Sequence, residues 1–536
     1  MTTQELKERI RILTGEEPEV LSYQANRLRD RNKQYIPAYH FASPGGYLND
    51  PCGYCYFKGI WHLFYQFGSE YPVGYGWGHA VSADGVRWLD LPAAIVPDEL
   101  VDFCGSGGAC VDGDRVIACY QGDLKAKPGG AIHIMESSDE LLIHWKRVGD
   151  GPAITTFNQD GSRNPYNAFD PCMWKEGDTF FLLSAGGGSL PHPVETVDFR
   201  RFYLFTSKDL IHWEYHHSFA ENDVFALFGD DGACPYFLPI GNRYLLMHFS
   251  HMSGGQLILG DYDRERKKFI AESGKAMNAH SWIAGGVHAP SAWTDAENRV
   301  HAIFNVNYCL HRGPENQIMS LPLLYTLDEK GALCVQPDGD LNSLRSAHVC
   351  LEKMIVPANQ EVVLPDVNGS ALEIKLTAEA AAPRTEAPSA IFTPVNLLPL
   401  IELRVLRSPD AEEYTSIRFY RNRSKMVWDV YKAQNARWGD ASMSALEVDT
   451  SSSTLSPDVA IHPAESQELY LAPDEPIDLH VFVDKSIVEV FAGDKALISV
   501  RTYPSREDSR TVSVISKGVD AVVSYEAWTM NSIYED

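Results

Sequence analysis

The sequence predicts an all-β protein: a five-bladed β-propeller followed by a C-terminal β-sandwich. The first reason is a fivefold repeat of short apolar strands in roughly the first 340 residues. The second is a set of short alternating strands after that point. The third is an aromatic content of 11%, with 25 Tyr and 11 Trp, which suits strands better than helices.

Size and charge limit the classes of protein that the chain can represent. With 536 residues it is too long for one ordinary domain, and 44% hydrophobic residues supply a large core. A formal net charge of −26 argues against nucleic acid and against an anionic membrane as partners.

The first 34 residues form a charged segment that is predicted to be helical. Thr2 and Glu5 have the spacing of a capping box, in which each side chain binds the backbone N–H of the other residue. We expect this segment to pack on the propeller, with a role in homo-oligomerisation as the alternative.

Residues 35–340 are predicted to form the propeller. Five apolar strands follow turn residues and begin at residues 59, 114, 178, 242 and 298, which are 55 to 64 residues apart. Five units of this length, with several strands each, indicate five blades.

Each repeated strand is preceded by a stretch that we assign as the innermost strand of its blade. Four of these stretches carry proline near the start, at Pro51, Pro171, Pro235 and Pro290. Innermost strands converge on the central channel of a propeller. The arrangement therefore predicts that Asp50 and Asp170, 120 residues apart, share one pocket.

Residues 341–361 are expected to be a linker, and residues 362–536 a β-sandwich. The alternating stretches 371–376, 401–406, 479–483 and 487–491 supply its strands. Residues 377–390, rich in Ala, Pro and Glu, are expected to form an exposed loop.

The start of the chain has no apolar signal-peptide core, and no stretch is long and apolar enough to span a bilayer. Ten scattered cysteines show no disulfide framework, and Cys52 and Cys55 are interpreted as reduced core thiols. We therefore expect a cytoplasmic protein.

The stretch from Tyr39 to Trp88 carries the strongest functional signal. It contains Asn49-Asp50-Pro51, followed by Gln66 and Trp77, so that one carboxylate lies among amides and aromatic rings. This segment resembles the nucleophile region of glycoside hydrolase family 32, the invertases, inulinases and levanases. The stretches 484–491 and 501–504 resemble the C-terminal sandwich of the same family, so that the resemblance spans roughly residues 35 to 530.

The resemblance implies a retaining glycosidase, in which two carboxyl groups lie about 5–5.5 Å apart. Asp50 is then the nucleophile. Asp170 matches the aspartate of the Arg-Asp-Pro motif, which binds sugar hydroxyls in the transition state. The arginine of that motif is Phe169 here, a substitution that removes a charged donor from the sugar site.

A second departure concerns the general acid. The family has glutamate in a Glu-Cys-Pro motif, where this chain has Ala233-Cys234-Pro235. Asp230 and Asp231 lie just upstream, and Gly232 allows the backbone to turn one of them into the pocket. We assign the acid to Asp231, with Asp230 and the absence of any general acid as alternatives.

The resemblance also implies a set of substrate-binding residues, namely Asn49, Gln66, Trp77, Phe103 and Phe169. His248 and His251 are further candidates for lining the pocket. Two histidines three residues apart are weak evidence for a metal, and we expect neither a metal nor any other cofactor.

The expected function is hydrolysis of β-fructofuranosides, such as sucrose or short fructo-oligosaccharides, through a covalent glycosyl-aspartate. Two alternatives remain within enzymes, a fructosyltransferase and a hydrolase of another furanoside. The alternative from another class is a sugar-binding pseudoenzyme that lacks the general acid.

Overall fold

The computed structural model describes residues 1–14, 17–69, 74–126, 129–186, 202–225, 230–251, 254–277, 286–307, 317–380, 400–421, 444–472 and 475–534. Two helices come first, α1 (Thr3–Thr14) and α2 (Pro18–Asp30). The predicted capping box is confirmed: the backbone N–H of Thr2 donates to Glu5 Oε2 at 2.7 Å, and that of Glu5 to Thr2 Oγ1 at 3.2 Å. Among the described residues, no helix has the length and apolar character needed to cross a membrane.

Five separate sheets follow, and the order of their strands is mostly the order of the chain. The first contains β1 (Tyr47–Phe57), β2 (Ile60–Ser69), β3 (Gly74–Ser82) and β4 (Leu89–Ile95). The second contains β5 (Gly107–Asp112), β6 (Arg115–Gln121), β7 (Ala131–Ser137), β8 (Lys146–Arg147) and β9 (Ile154–Thr155). The third contains β10 (Pro171–Glu176), β11 (Thr179–Ser184), β12 (Tyr203–Ser207) and β13 (Glu214–Ser218).

The fourth sheet contains β14 (Ala220–Glu221), β15 (Ala233–Ile240), β16 (Arg243–Ser250), β17 (Gly254–Asp263) and β18 (Lys268–Ala276). The fifth contains β19 (Val287–Thr294), β20 (Val300–Val306), β21 (Ile318–Met319), β22 (Leu323–Leu327) and β23 (Leu333–Pro337). Strands β2, β6, β11, β16 and β20 are the five repeated strands that the sequence predicts, and each pairs with the strand before it.

The first strands of these five sheets form a closed ring. Strand β1 contacts β5, β5 contacts β10, β10 contacts β15, β15 contacts β19, and β19 returns to β1. Residues at the starts of these strands therefore meet at one place, although they come from five distant parts of the chain.

Two six-stranded sheets contain the remaining strands of the described residues. One has the order β24 (Arg345–Val356), β35 (Ala521–Met530), β26 (Ala371–Glu379), β31 (Ile477–Asp484), β32 (Ile487–Ala492) and β33 (Ala496–Arg501). The other has the order β25 (Glu361–Asn368), β34 (Thr511–Ser516), β27 (Ile401–Arg407), β28 (Thr415–Tyr420), β29 (Ser444–Asp449) and β30 (Glu465–Leu469). Buried apolar residues from both sheets belong to a single core cluster.

The expected linker, residues 341–361, is mostly structured. A short 3-10 helix, Leu341–Leu344, leads into β24, the edge strand of the first six-stranded sheet. Because most of its side chains remain exposed or half-buried, this strand lacks the apolar alternation that identifies the others. The expected exposed loop, residues 377–390, is corrected at its start, since 377–379 belong to β26, and 381–390 lie outside the described residues.

The segment between α2 and β1 joins the N-terminal part of the protein to the six-stranded sheet that contains β31 and β32. Asp484, at the end of β31, accepts hydrogen bonds from the backbone N–H groups of Ala38, Tyr39 and His40. The buried His40 ring lies between Asp484, at 2.8 Å, and Glu489, at 3.3 Å. Burial lowers the pKa of His40, but the two carboxylates outweigh it and raise this pKa to about 9.

Candidate active site

Asp50 lies in β1, close to the start of that strand, and is 6% exposed. Its Oδ2 accepts a hydrogen bond of 2.6 Å from Ser106 Oγ, which precedes β5. Its Oδ1 has no hydrogen-bond partner in the described part of the chain, although His288 Nδ1 lies 3.3 Å away. One carboxylate oxygen is thus fixed, and the other remains available for chemistry.

Asp170 immediately precedes β10 and is 5% exposed. Its φ of +35° is unusual for a residue other than glycine and turns the side chain at the entry to the strand. Burial and the nearby charge of Asp50 raise the pKa of Asp170 to about 7. The prediction that Asp50 and Asp170 share one pocket is supported by their contacts with one residue, because both carboxylates lie beside the side chain of Cys234.

The thiol of Cys234 links the two carboxylates. Its Sγ lies 3.6 Å from Asp50 Oδ2 and 3.4 Å from Asp170 Oδ2, and its backbone N–H donates to Asp170 Oδ2 at 3.2 Å. Burial and the two carboxylates raise the pKa of this thiol well above its usual value. Cys234 is therefore a protonated S–H donor that holds both acids in place.

A chain of amide side chains runs from the fifth sheet to Asp50, with every donor pointing the same way. Its hydrogen bonds run from Asn305 to Gln317, from Gln317 to Asn49 (2.8 Å), from Asn49 to Gln66 (2.8 Å) and from Gln66 to Ser106 (2.7 Å). Asn305 also donates to His288 Nδ1 at 2.8 Å, and burial lowers the pKa of His288 to about 4. Aligned hydrogen bonds polarise one another, so that the chain strengthens the final bond from Ser106 to the carboxylate.

Asp230 and Asp231 lie just before β15, and Gly232 follows them with a φ of +61°. The turn that the sequence predicts at Gly232 is confirmed. Asp230 is 3% exposed and accepts from the Gly232 N–H at 2.9 Å, whereas the side chain of Asp231 is 14% exposed. Besides burial and the charge of Asp50, the charge of Asp231 helps to raise the pKa of Asp170.

An apolar corner takes the place of two charges that the family resemblance leads one to expect. Ala233, Cys234, Phe249 and Ala289 form a buried cluster, and the half-buried Phe169 packs against it. Ala233 has no exposed surface. The substitutions at Phe169 and Ala233 are thus spatially linked, because both contribute to the same apolar surface.

Two of the predicted sugar-binding residues have different surroundings. Trp77 is fully buried, and its indole N–H donates to the carbonyl of Gly105 at 2.8 Å, which steadies the turn that carries Ser106. Phe103 is 36% exposed and belongs to a row of rings with Tyr75 and Tyr47. This row offers an apolar face of the kind that covers sugar rings.

Several polar residues of the site were not assigned from the sequence: Ser106, Cys234, His288, Asn305 and Gln317. The proline pattern could have found two of them, because Cys234 directly precedes Pro235 and His288 lies two residues before Pro290. Within the described ranges, no group of three or more His, Cys, Asp or Glu side chains could hold a metal ion.

Comparison with known families accounts for both parts of the chain. The family model described as the glycosyl hydrolases family 32 N-terminal domain matches residues 40–333. The model described as the C terminal of the same family matches residues 340–529.

Individual relatives span nearly the whole chain at low identity. A beta-fructofuranosidase, insoluble isoenzyme CWINV3, of Arabidopsis thaliana is 25% identical over 96% of this chain and 92% of its own length. The levanase of Bacillus subtilis is 26% identical over 89% of this chain and 67% of its own. The crystal structure of fructan 1-exohydrolase IIa from Cichorium intybus matches with a TM-score of 0.75 at 20% identity, covering 93% of this chain and 98% of the other.

Proposed function

From the finding that this chain belongs to glycosyl hydrolase family 32 and is a glycoside hydrolase acting on fructosides, we propose that it is a retaining β-fructofuranosidase for sucrose or short fructo-oligosaccharides. We propose with it a five-bladed β-propeller followed by a β-sandwich. The closed ring of first strands and the core shared by the two six-stranded sheets support this fold.

The observation that carries the mechanism is the pair of buried carboxylates, Asp50 and Asp170, joined by the thiol of Cys234. In the proposed reaction, Asp50 Oδ1 attacks the anomeric carbon while Ser106 holds Oδ2. Asp170 binds sugar hydroxyls, and these bonds strengthen as positive charge develops on the ring. Asp231 is assigned to the protonation of the leaving oxygen.

Both steps of retention follow from this arrangement. Attack by Asp50 breaks the bond to the leaving oxygen and forms a glycosyl ester, and water then attacks the same carbon and frees the carboxylate. Because the two carboxyl groups are buried close together, they cannot both ionise without mutual repulsion. The pKa of Asp170 is raised to about 7, so that this carboxyl group can exchange a proton with a hydroxyl group of the bound sugar.

The test is sugar release from sucrose, 1-kestose, inulin and levan. A related structure of the Cichorium intybus enzyme is described in complex with 1-kestose, and this makes the trisaccharide a suitable probe. Asp50→Asn should abolish turnover while the fold and sugar binding persist, whereas the exposed Asp178→Asn is the matched control. Wild-type rates in Asp50→Asn would contradict the assignment.

The stereochemical course gives a second test. When the reaction runs in the presence of methanol, retention yields the methyl β-fructofuranoside, and NMR of the product distinguishes it from the α-anomer. Formation of longer oligosaccharides at high sucrose would favour a fructosyltransferase. Sugar binding without turnover of any furanoside would favour the pseudoenzyme. A cytoplasmic location stays a prediction, which cell fractionation tests.

A further inference from the structure

The antiparallel register of β15 and β16 places a histidine opposite Asp231. Ala233 pairs with Phe249 in this hairpin, so that two residues further out Asp231 faces His251. The contact is made: the backbone N–H of His251 donates to Asp231 Oδ1 at 3.3 Å, and His251 Nδ1 forms a hydrogen bond with Asp231 Oδ2. One carboxylate thus holds both the backbone and the ring of His251.

The His251 ring also lies beside His288, which is the neighbour of Asp50. It packs edge-on against Phe249, with 4.8 Å between ring centroids, and its centroid is 6.3 Å from that of His288, which contacts Asp50. The side chain of His251 is 50% exposed, compared with 14% for Asp231. A substrate that enters the pocket therefore reaches the imidazole more easily than the carboxylate behind it.

Four titratable groups act electrostatically on His251, namely Asp231, Asp170, Asp50 and His288. Burial lowers the pKa of His251, but the hydrogen bond to Asp231 and the charges of Asp231, Asp170 and Asp50 outweigh it, so the pKa is raised. His288 is the only neighbour among these four that is not an acid, and burial keeps its own pKa low. Burial raises the pKa of Asp231, but the hydrogen bonds from His251 outweigh it and the net effect is a lowered pKa. In this pair the proton resides on the imidazole.

We propose that His251, held by Asp231, is the proton donor to the leaving group. This inference rests on the proposed function and names the residue that donates the proton. His251 is the catalytic residue, and Asp231 becomes a positioning residue that orients the ring and stabilises its charge. The pair supplies the proton that Ala233, at the position of the family's glutamate, cannot donate.

The chemical balance is simple. As Asp50 Oδ1 forms its bond to the anomeric carbon, the bond from that carbon to the leaving oxygen breaks, and the proton on His251 Nε2 passes to this oxygen. In the second step, water attacks the anomeric carbon, its proton passes to His251 Nε2, and the ester bond to Asp50 breaks. The enzyme returns to its starting state with imidazolium and carboxylate.

The experiment compares leaving groups. A sugar alkoxide needs protonation, whereas p-nitrophenolate leaves without it. His251→Ala should lower kcat/KM for sucrose and 1-kestose about 10²- to 10⁴-fold, and that for p-nitrophenyl β-fructofuranoside less than about tenfold. His212→Ala is the matched control, because His212 forms a similar pair with Asp209 at 2.7 Å but is 85% exposed and lies in the turn between β12 and β13.

Asp231→Asn separates positioning from proton donation. Without the carboxylate, the pKa of His251 should fall, so that the alkaline limb of the pH profile for sucrose moves to lower pH. NMR titration of the ring should show the same direction. A merely structural role of Asp231 would lower activity without moving this limb.

Equal losses of His251→Ala on both substrates, or no loss on sucrose, would overturn the proposal. So would a wild-type-like His251→Ala alongside an Asp231→Ala that selectively loses sucrose, which would place the proton on Asp231 itself. The proposed function fails separately: turnover of the aryl fructoside by the wild type, and its loss in Asp50→Asn, test Asp50 independently of His251.

Discussion

Because the pKa of Asp170 is raised in the folded protein, the free energy of unfolding decreases as pH rises. In the unfolded chain this carboxyl group titrates near 3.8, but in the folded protein it titrates near 7. A group whose pKa is raised by folding stabilises the folded state fully below its unfolded value, and that contribution is lost as pH rises through the folded value. Between these two limits, the folded protein holds a proton that the unfolded chain has released.

The magnitude follows from the linkage relation. Each pH unit between 3.8 and about 7 removes about 1.4 kcal/mol from the free energy of unfolding, so that the interval from pH 5 to pH 7 accounts for about 2–3 kcal/mol. Asp170→Asn removes this titration. We therefore expect the variant to gain about 2–3 kcal/mol relative to the wild type when pH rises from 5 to 8, although it loses activity.

Urea unfolding followed by tryptophan fluorescence measures the effect at both pH values. Asp178→Asn is the control, because Asp178 is 87% exposed and its pKa is lowered by Lys208, so that it stays ionised across this range. If the stability difference between Asp170→Asn and the wild type is the same at pH 5 and pH 8, the buried carboxyl group is ionised throughout and the reasoning is refuted.

Three further predictions concern other parts of the molecule. His40 should stabilise the protein fully below pH 6.5, and about 3 kcal/mol of this contribution should be lost as pH rises through about 9. In urea unfolding, the free energy of unfolding of His40→Gln should therefore depend less on pH than that of the wild type. Ser106→Ala should lower kcat for sucrose about 10- to 100-fold with a smaller change in KM, because Asp50 Oδ2 loses its hydrogen bond; an unchanged kcat would contradict this role. Leu6→Ala, which opens a cavity beneath α1, should reduce the free energy of unfolding by about 2–5 kcal/mol while steady-state kinetics stay the same.

Local patterns in the sequence were sufficient for much of the fold. The five repeated strands, the capping box at Thr2 and the turn at Gly232 each depend on residues only a few positions apart, and all three are confirmed. Strand β24 was predicted to be a linker because an edge strand with mostly exposed side chains carries little hydrophobic periodicity.

The site was harder to predict because its contacts join distant residues. The amide chain links Asn49 with Gln317, which are 268 positions apart, and no local pattern distinguishes such an amide from one in a surface turn. The pairing of Asp231 with His251 depends on the register of one hairpin, which a shift of a single residue would destroy. Asp50 and Asp170, which stand next to proline in a repeated pattern, could be predicted from the sequence.

The contacts of Asp484 have a consequence for how the protein is made. This carboxylate binds the backbone of residues 38–40, yet Ala38 leaves the peptidyl-transferase centre 446 residues earlier. At a synthesis rate of about 5–20 residues per second, the early segment waits roughly 20 to 90 seconds for its partner. During that interval the aromatic side chains of Tyr39 and Phe41, buried in the finished molecule, lack this anchor. The segment before the first sheet therefore depends on a late part of the nascent chain to complete its attachment.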